Sequence, residues 1–335
     1  MAVSKRVETS SSTNSGPVIA HDDDPDTKAL STYSSWFLDT GSWAIDRGIP
    51  GPERASRIQL TDLKAFPRTV RDWLREWIRE NHCPLIHRQL YADVGMPNCL
   101  MDAFSALLMW QAKTDQNEDL VMRYIEEKAN QLINGQAALS ESAVESVTSL
   151  RTINHLARVQ ALFIYQHIRL FDGDVRQRPL AEACMPLMSQ WTSSMWESAS
   201  MDAFLQTSID CSSGLFSQDL ADDLGGPPSM RIWRDWLLAE SVRRIWLVVN
   251  YTQAVYIALR DGQSECSGGI AFTAREGLWD SQSAEIWTPL VNEKDPLFML
   301  SSRTDHILPR VFAKDVDPFG LSILTIMGDR QNLKV

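Results

Sequence analysis

The stretch Trp233-Arg234-Asp235-Trp236-Leu237-Leu238-Ala239-Glu240-Ser241-Val242-Arg243-Arg244-Ile245-Trp246 puts three tryptophans and an acid–base cluster on what reads as one helix. At 3.6 residues per turn, Trp233, Trp236, Leu237, Glu240, Arg243, Arg244 and Leu247 share one broad side at spacings of three and four. An apolar stripe with charges inside it can be buried only if those charges are held. Glu240 stands three residues before Arg243 and four before Arg244, within reach of both. A guanidinium held by a carboxylate is one of the few charged arrangements that a helical core tolerates. The pattern therefore predicts a structural lock between helices rather than a catalytic constellation.

The same period dominates the chain beyond residue 60. Val70, Trp73, Leu74, Trp77 and Ile78 define one amphipathic helix. Pro97 suits a first helical turn, opening a helix with Leu100, Phe104, Leu107 and Leu108 on one side. After the turn Asp115-Gln116-Asn117, a third helix carries Leu120, Val121, Tyr124, Ile125 and Leu132 and is expected to close near Gly135. Residues 151–171 are apolar over most of a helical circumference, which predicts burial on several sides. Another helix follows through Leu180, Leu187, Met188, Trp191 and Trp196, bent or interrupted at Pro186. The run Asp222-Asp223-Leu224-Gly225-Gly226-Pro227-Pro228 is a loop, after which the signature helix extends from Ser229 to Leu259. Short helices are expected around Leu278, around Trp287 and from Leu321 to Met327. Paired alternating strands and internal repeats are not evident. The expected fold is all-α: one large helical domain over 60–330, preceded by a disordered tail at 1–32 and an irregular strap at 33–59 broken by Gly41, Gly48, Pro50, Gly51 and Pro52.

The pattern W-x-x-W-x-x-x-E-S-x-R-R resembles the regulatory "middle homology" domain of fungal binuclear-zinc-cluster transcription factors. Cys83-Pro84-Leu85-Ile86-His87-Arg88-Gln89-Leu90-Tyr91, followed by the helix from Pro97, is similar to the family's Pro-apolar-Ile-His segment, in which the histidine, here His87, is structural. Arg158–Gln166 resembles its central helix and Phe171-Asp172-Gly173-Asp174 that helix's end. Ala274-Arg275-Glu276-Gly277-Leu278-Trp279-Asp280 and Asp317-Pro318-Phe319-Gly320 are similar in order and spacing, so the resemblance spans about residues 60–330. It implies a transcriptional regulator, nuclear and also cytoplasmic in its range, of the kind encoded beside genes for secondary metabolites.

The family's DNA-binding module needs six cysteines in a compact run, paired as C-x2-C, to bridge two zinc ions. Here Cys83, Cys99, Cys184, Cys211 and Cys266 are each at least sixteen residues from the next. The expectation is a headless regulator, or a chain whose first exon is absent. A formal charge of −11 opposes direct nucleic-acid binding, which depends on clustered Lys and Arg. The implied partners are proteins, above all a DNA-binding transcription factor, with a homodimer or heterodimer open. Scattered cysteines point to a reducing compartment, and no run of eighteen apolar residues suggests a membrane.

No complete chemical constellation stands out, so no cofactor, metal or catalytic residue is expected. Asp22-Asp23-Asp24-Pro25-Asp26 superficially matches an aspartate-rich magnesium motif, but Pro25 disrupts the helix such a motif needs. His82, Cys83 and His87 lack a further ligand pair for zinc. Gly262-Gln263-Ser264-Glu265-Cys266 misses the second glycine of a nucleophile elbow. Asn250-Tyr251-Thr252 matches a glycosylation triplet but falls inside the signature helix. Twelve tryptophans read mainly as core. The rival to a regulator acting through partners is a helical sensor whose Trp-, Met- and Phe-lined pocket takes an apolar small molecule; an unrecognised helical enzyme ranks below both.

Overall fold

A computed structural model describes residues 36–48, 57–142, 151–173, 175–212, 227–265, 267–305 and 307–334, with side chains excepted at 136–142 and 208–212. Among these residues the helices are α1 (Leu60–Glu80), α2 (Asn98–Gln111), α3 (Glu118–Ser142), α4 (Thr152–Phe171), α5 (Gln177–Ala183), α6 (Met185–Ser212), α7 (Pro228–Asp261), α8 (Ala284–Glu293) and α9 (Pro318–Ile326). Two short strands, β1 (Ala271–Thr273) and β2 (Phe298–Leu300), pair antiparallel, with Thr273 opposite Phe298. The fold is all-α with this one small sheet. The strands escape a periodicity search because each has three residues and a helix lies between them.

Two helices form the centre. α4 packs against α1, α2, α3, α5, α6 and α7, and α7 packs against α1, α4, α6, α8 and β1. That position explains why α4 is buried on nearly every side, including Gln160, Gln166, His167 and Arg169. The signature helix α7 runs for 34 residues, opened by Pro228 at its first turn and closed by Gly262 at φ 82°. Both ends obey the asymmetry in which proline starts a helix and a left-handed glycine stops it.

Several expectations need correction. Leu108 is 43% exposed, because the inner face of α2 is set by Leu100, Ala103, Ala106, Leu107 and Trp110. Pro97 caps α2 in an extended conformation rather than sitting inside its first turn. α3 continues past Gly135 to Ser142, since one glycine costs a helix only about 1 kcal/mol relative to alanine. The interruption ahead of Pro186 falls at Cys184, and Pro186 lies in the opening turn of α6. No helix forms around Leu278: Gly277 adopts φ 80° and the segment is a chain of turns. The tail at 1–32, the acidic run at 22–26, part of the strap, the loop at 222–226 and Cys266 lie outside the described residues.

Trp36–Gly48 can be followed. A single 3-10 turn, Thr40–Trp43, seats Trp43 edge-on against Trp196 of α6 at 5.0 Å, and Trp196 Nε1 donates to the Trp43 carbonyl at 3.1 Å. Asp46 and Gly269 exchange backbone hydrogen bonds of 2.8 Å each. A Cβ at Gly268 would meet the Asp46 carbonyl at 2.8 Å and one at Gly269 would strike Ser302 at 2.5 Å, so this close crossing requires glycine at both positions.

Candidate functional site

The signature residues of α7 are buried around the whole helix and not along one side. Every residue from Ala239 to Val249 is buried, because α4 and α6 cover one flank, α1, α8 and β1 another, and residues 37–43 the remainder. Trp236 lies between Trp287, tilted against it at 5.4 Å, and Trp279, edge-to-face at 6.3 Å, and its Nε1 donates to Thr273 Oγ1 at 3.4 Å.

Arg244 and Glu240 sit one turn apart and pair at 3.2 Å (Nε to Oε1), with side chains 1% and 0% exposed. A second carboxylate, Asp317, meets Arg244 Nη2 at 2.5 Å. The Pro84 carbonyl accepts from its Nη1 at 3.3 Å and the Thr273 carbonyl from its Nη2 at 3.2 Å, and the guanidinium lies over Trp279 and Phe319 at 4.2 and 4.7 Å. Glu240 also accepts from the Thr273 backbone N–H at 3.1 Å and from Thr273 Oγ1 at 2.9 Å. Burial raises its carboxyl above the usual carboxylate range, while Arg244, then Arg243 and Thr273, pull it back.

Asp317 does two jobs. Its other oxygen caps α9 by accepting from Gly320 N–H at 2.6 Å, with Pro318 at the first helical position. A Cβ at Gly320 would meet Val316 at 2.9 Å and Ala274 at 3.0 Å, so the glycine lets α9 lie close against Ala274, the residue that follows β1. The Asp317-Pro318-Phe319-Gly320 run thus supplies a cap, a helix start, an aromatic face for Arg244 and a close contact.

Arg243 points elsewhere, as successive helical residues are turned by about 100°. Its Nη2 donates to the Phe37 carbonyl at 2.6 Å and to Ser42 Oγ at 3.1 Å, and the guanidinium stacks on Trp43 at 4.4 Å and Phe298 at 5.1 Å. No carboxylate among the described residues forms an ion pair with it, and Nε and Nη1 have no hydrogen-bond partner there. The expected reach of Glu240 to both arginines is therefore realised as an ion pair with Arg244 alone. Burial lowers the Arg243 pKa to about 10, with Glu240 opposing the shift, so it stays charged at neutral pH.

His87 joins this assembly although it is far from α7 in sequence. It is buried, with its ring 5.3 Å from Trp279, 6.3 Å from Trp233 and 4.9 Å from His82. Gln89 N–H donates to its Nδ1 at 3.1 Å, and burial with His82 nearby lowers its pKa to about 3. Cys83, in the same turn, is pushed up to about 12 by burial. The Cys83 carbonyl accepts from Trp279 Nε1 at 3.0 Å, which ties the 83–86 turn to the lock. Among the described residues no group of three or more His, Cys, Asp or Glu is placed to hold a metal ion.

Chemically, the arrangement can join elements but not reach a substrate. Glu240, Arg243, Arg244 and Asp317 are 0–2% exposed, and none of them lines the clefts beside Ala199, Trp110, Ala271 or Phe66. Asp317, Thr273 and Trp279 complete the site without having been singled out for it. Asp followed by Pro ahead of an apolar run is a capping signal that marks Asp317, but its contact with Arg244 has no local signature.

Over 243 residues the chain is 31% identical to Transcription factor gsfR2 of Penicillium aethiopicum. It is a relative of a fungal transcription factor. The match takes in 72% of this chain and 54% of that protein, so the chain spans about half the length of the curated relative it matches. No protein-family model matches the chain, and no solved structure matches it. Among the described residues no helix is long and apolar enough to cross a membrane.

Proposed function

We propose that the chain is a transcriptional regulator whose helical body is a regulatory domain of the zinc-cluster type and which acts in the nucleus through protein partners, foremost a DNA-binding transcription factor. The observation that carries this reading is the 31% identity to Transcription factor gsfR2 over 243 residues. The geometry agrees, since the most conspicuous charged cluster is enclosed and hydrogen-bonded as a scaffold element rather than opened to a substrate. The charge of −11 favours an indirect route to DNA over clustered phosphate contacts. Control of a secondary-metabolite gene cluster rests on the resemblance alone. Fusing the chain to an unrelated DNA-binding domain tests the reading: a reporter in a fungal host should change with the fusion, and output identical to that of the bare domain sinks it. A gel shift at near-physiological salt tests the indirect route, with nanomolar sequence-dependent binding by the chain alone as the contrary result.

A sensor is the second reading, favoured by a groove of about 260 Å³ in which Leu38, Trp43, Ala199 and Leu238 face Thr152, Asp202, Gln206 and Asp235, with tryptophan but neither Met nor Phe in its lining. Its size lies below the roughly 300–1,000 Å³ usual for small-molecule pockets, so any occupant is small. Ligand-dependent thermal stabilisation separates it from a pure scaffold.

A further inference from the structure

α1 sorts its charges by sign. Lys64, Arg68, Arg71, Arg75 and Arg79 follow one another at steps of four, three, four and four residues. At about 100° per residue they fall within an arc of roughly 80°. Asp72, Glu76 and Glu80 occupy the adjoining sector, and Phe66, Val70, Trp73, Leu74 and Trp77 face the core. Lys64, Arg68, Arg75 and Arg79 are exposed, and Arg71 is half-buried. Among the described residues one ion pair relieves the row, Arg75 with Asp72 at 3.1 Å in open solvent. Like charges at such spacings weaken a helix by themselves, and a chain of net charge −11 gains nothing in solubility from them.

The middle of the row opens on a cleft of about 310 Å³ that also includes Trp110, Gln111 and Lys113 of the α2 end. The Arg71 and Arg75 guanidiniums lie 5.6 and 6.0 Å from the Trp110 ring centre. The carboxylate in the cleft is already engaged: Asp172 accepts from Trp110 Nε1 at 2.6 Å and pairs with Lys113 at 2.8 Å. Arg71 Nε is buried without a hydrogen-bond partner among the described residues, an unmet donor in a charged group.

We propose that the basic face of α1, centred on the Trp110 cleft, docks an acidic protein segment that presents Asp and Glu side chains. Four of the five cations are arginines, whose planar fork matches carboxylates in pairs of hydrogen bonds. The row is roughly 22 Å long, the span of about four turns of a helix with acids at the same spacing. The adjoining Asp72, Glu76 and Glu80 repel a continuous phosphate backbone, whereas discrete carboxylates can be spaced to avoid them. The proposal deepens the partner reading above by naming the surface and the chemistry of the partner, and it rests on that reading for the process served.

Fluorescence anisotropy with the full chain tests it, using a helical peptide with Glu at i, i+4, i+7 and i+11, its Gln counterpart and a short DNA duplex. The Glu peptide should bind in a salt-sensitive way and the Gln peptide should not. Arg68→Gln, Arg75→Gln and Arg79→Gln together should weaken binding about tenfold. Removing the same charge from the exposed Arg123, Arg178 and Lys294 should change it less than about twofold, with both triple variants melting like the parent. Equal weakening by the two triple variants, no preference for the Glu peptide, or tighter binding of the duplex overturns the proposal. The assay contains no reporter, so a chain that is silent in transcription can still pass it, and the two readings fail separately.

Discussion

Arg243 and Arg244 are neighbours on one helix, equally buried, and held by opposite means. On the α9 side, Arg244 has two carboxylates, two carbonyls and two aromatic faces around it. On the side of residues 37–43, Arg243 has one carbonyl, one hydroxyl and two aromatic faces, and its nearest opposite charge, Glu240, is taken by its neighbour. The first arrangement offsets desolvation by charge pairing; the second does so with dipoles and ring quadrupoles. The difference teaches which side depends on partners remaining in place. A paired charge is costly to orphan, whereas an unpaired one leaves no counter-charge behind when it is removed.

The largest expected effect follows from that asymmetry. Arg244→Ala leaves Glu240 and Asp317 in the core without their cation, and breaking a buried pair in this way costs roughly 3–5 kcal/mol. For a chain of this size that lowers the melting temperature by about 10 °C. Glu240→Ala should cost less, because Asp317 still pairs with Arg244 while the Thr273 N–H and hydroxyl lose their acceptor. The double variant should lose less than the sum of the two. Differential scanning calorimetry reads all three, and single variants that melt like the parent would erase the distinction between the two sides.

Protonation probes the Arg244 side next. The folded-state pKa of His87 is lowered from 6.5 to about 3, so between those values the unfolded chain binds the extra proton. Its contribution is fully present above pH 6.5 and is lost as pH falls toward 3, by a few kcal/mol at most at about 1.4 kcal/mol per pKa unit. Glu240 has the opposite sign: its raised pKa makes the folded state bind protons more tightly, so its contribution declines as pH rises past 4.5. His87→Gln should flatten the rise in stability between pH 3 and 6.5, leaving the similar contribution of His167 on α4. An unchanged urea midpoint profile for His87→Gln would show that His87 plays no part in it.

What the sequence could reveal follows the range of each interaction. α1 declares itself by period, α4 by apolarity around most of its circumference and α7 by tryptophans and charges at helical spacing, and Glu240 with Arg244 is visible because i,i+4 is a local spacing. Asp317 is 73 residues from Arg244, and Phe37 and Ser42 are 206 and 201 residues from Arg243. Periodicity within a helix carries no information about such contacts, so the completion of the lock and the second cage had to come from the fold. The misplaced end of α3 at Gly135 and the absent helix at Leu278 show local signals yielding to context: one glycine was absorbed, the other, at position 277, was used for a turn.

The smaller effects lie on the other side. Arg243→Met keeps the bulk, strands no carboxylate and relieves a desolvated charge, while losing two hydrogen bonds and the ring contacts. The net cost should be about 1–2 kcal/mol, clearly below that of Arg244→Met, and equal melting temperatures for the two would mean that carboxylate pairing is not what separates them. Arg303→Ala should be smallest. Its guanidinium grips Asp46 at 2.9 and 3.2 Å, but the arginine side chain is 68% exposed, so water and salt already screen the pair. Asp46 keeps its Ser302 hydroxyl and both backbone bonds to Gly269 in the variant. A loss of about 0.2–1 kcal/mol, shrinking further in 0.5 M salt, is expected. A loss as large as that of Arg243→Met would make the Asp46 ion pair, and not the guanidinium cage, the main tie holding residues 36–48 to the domain.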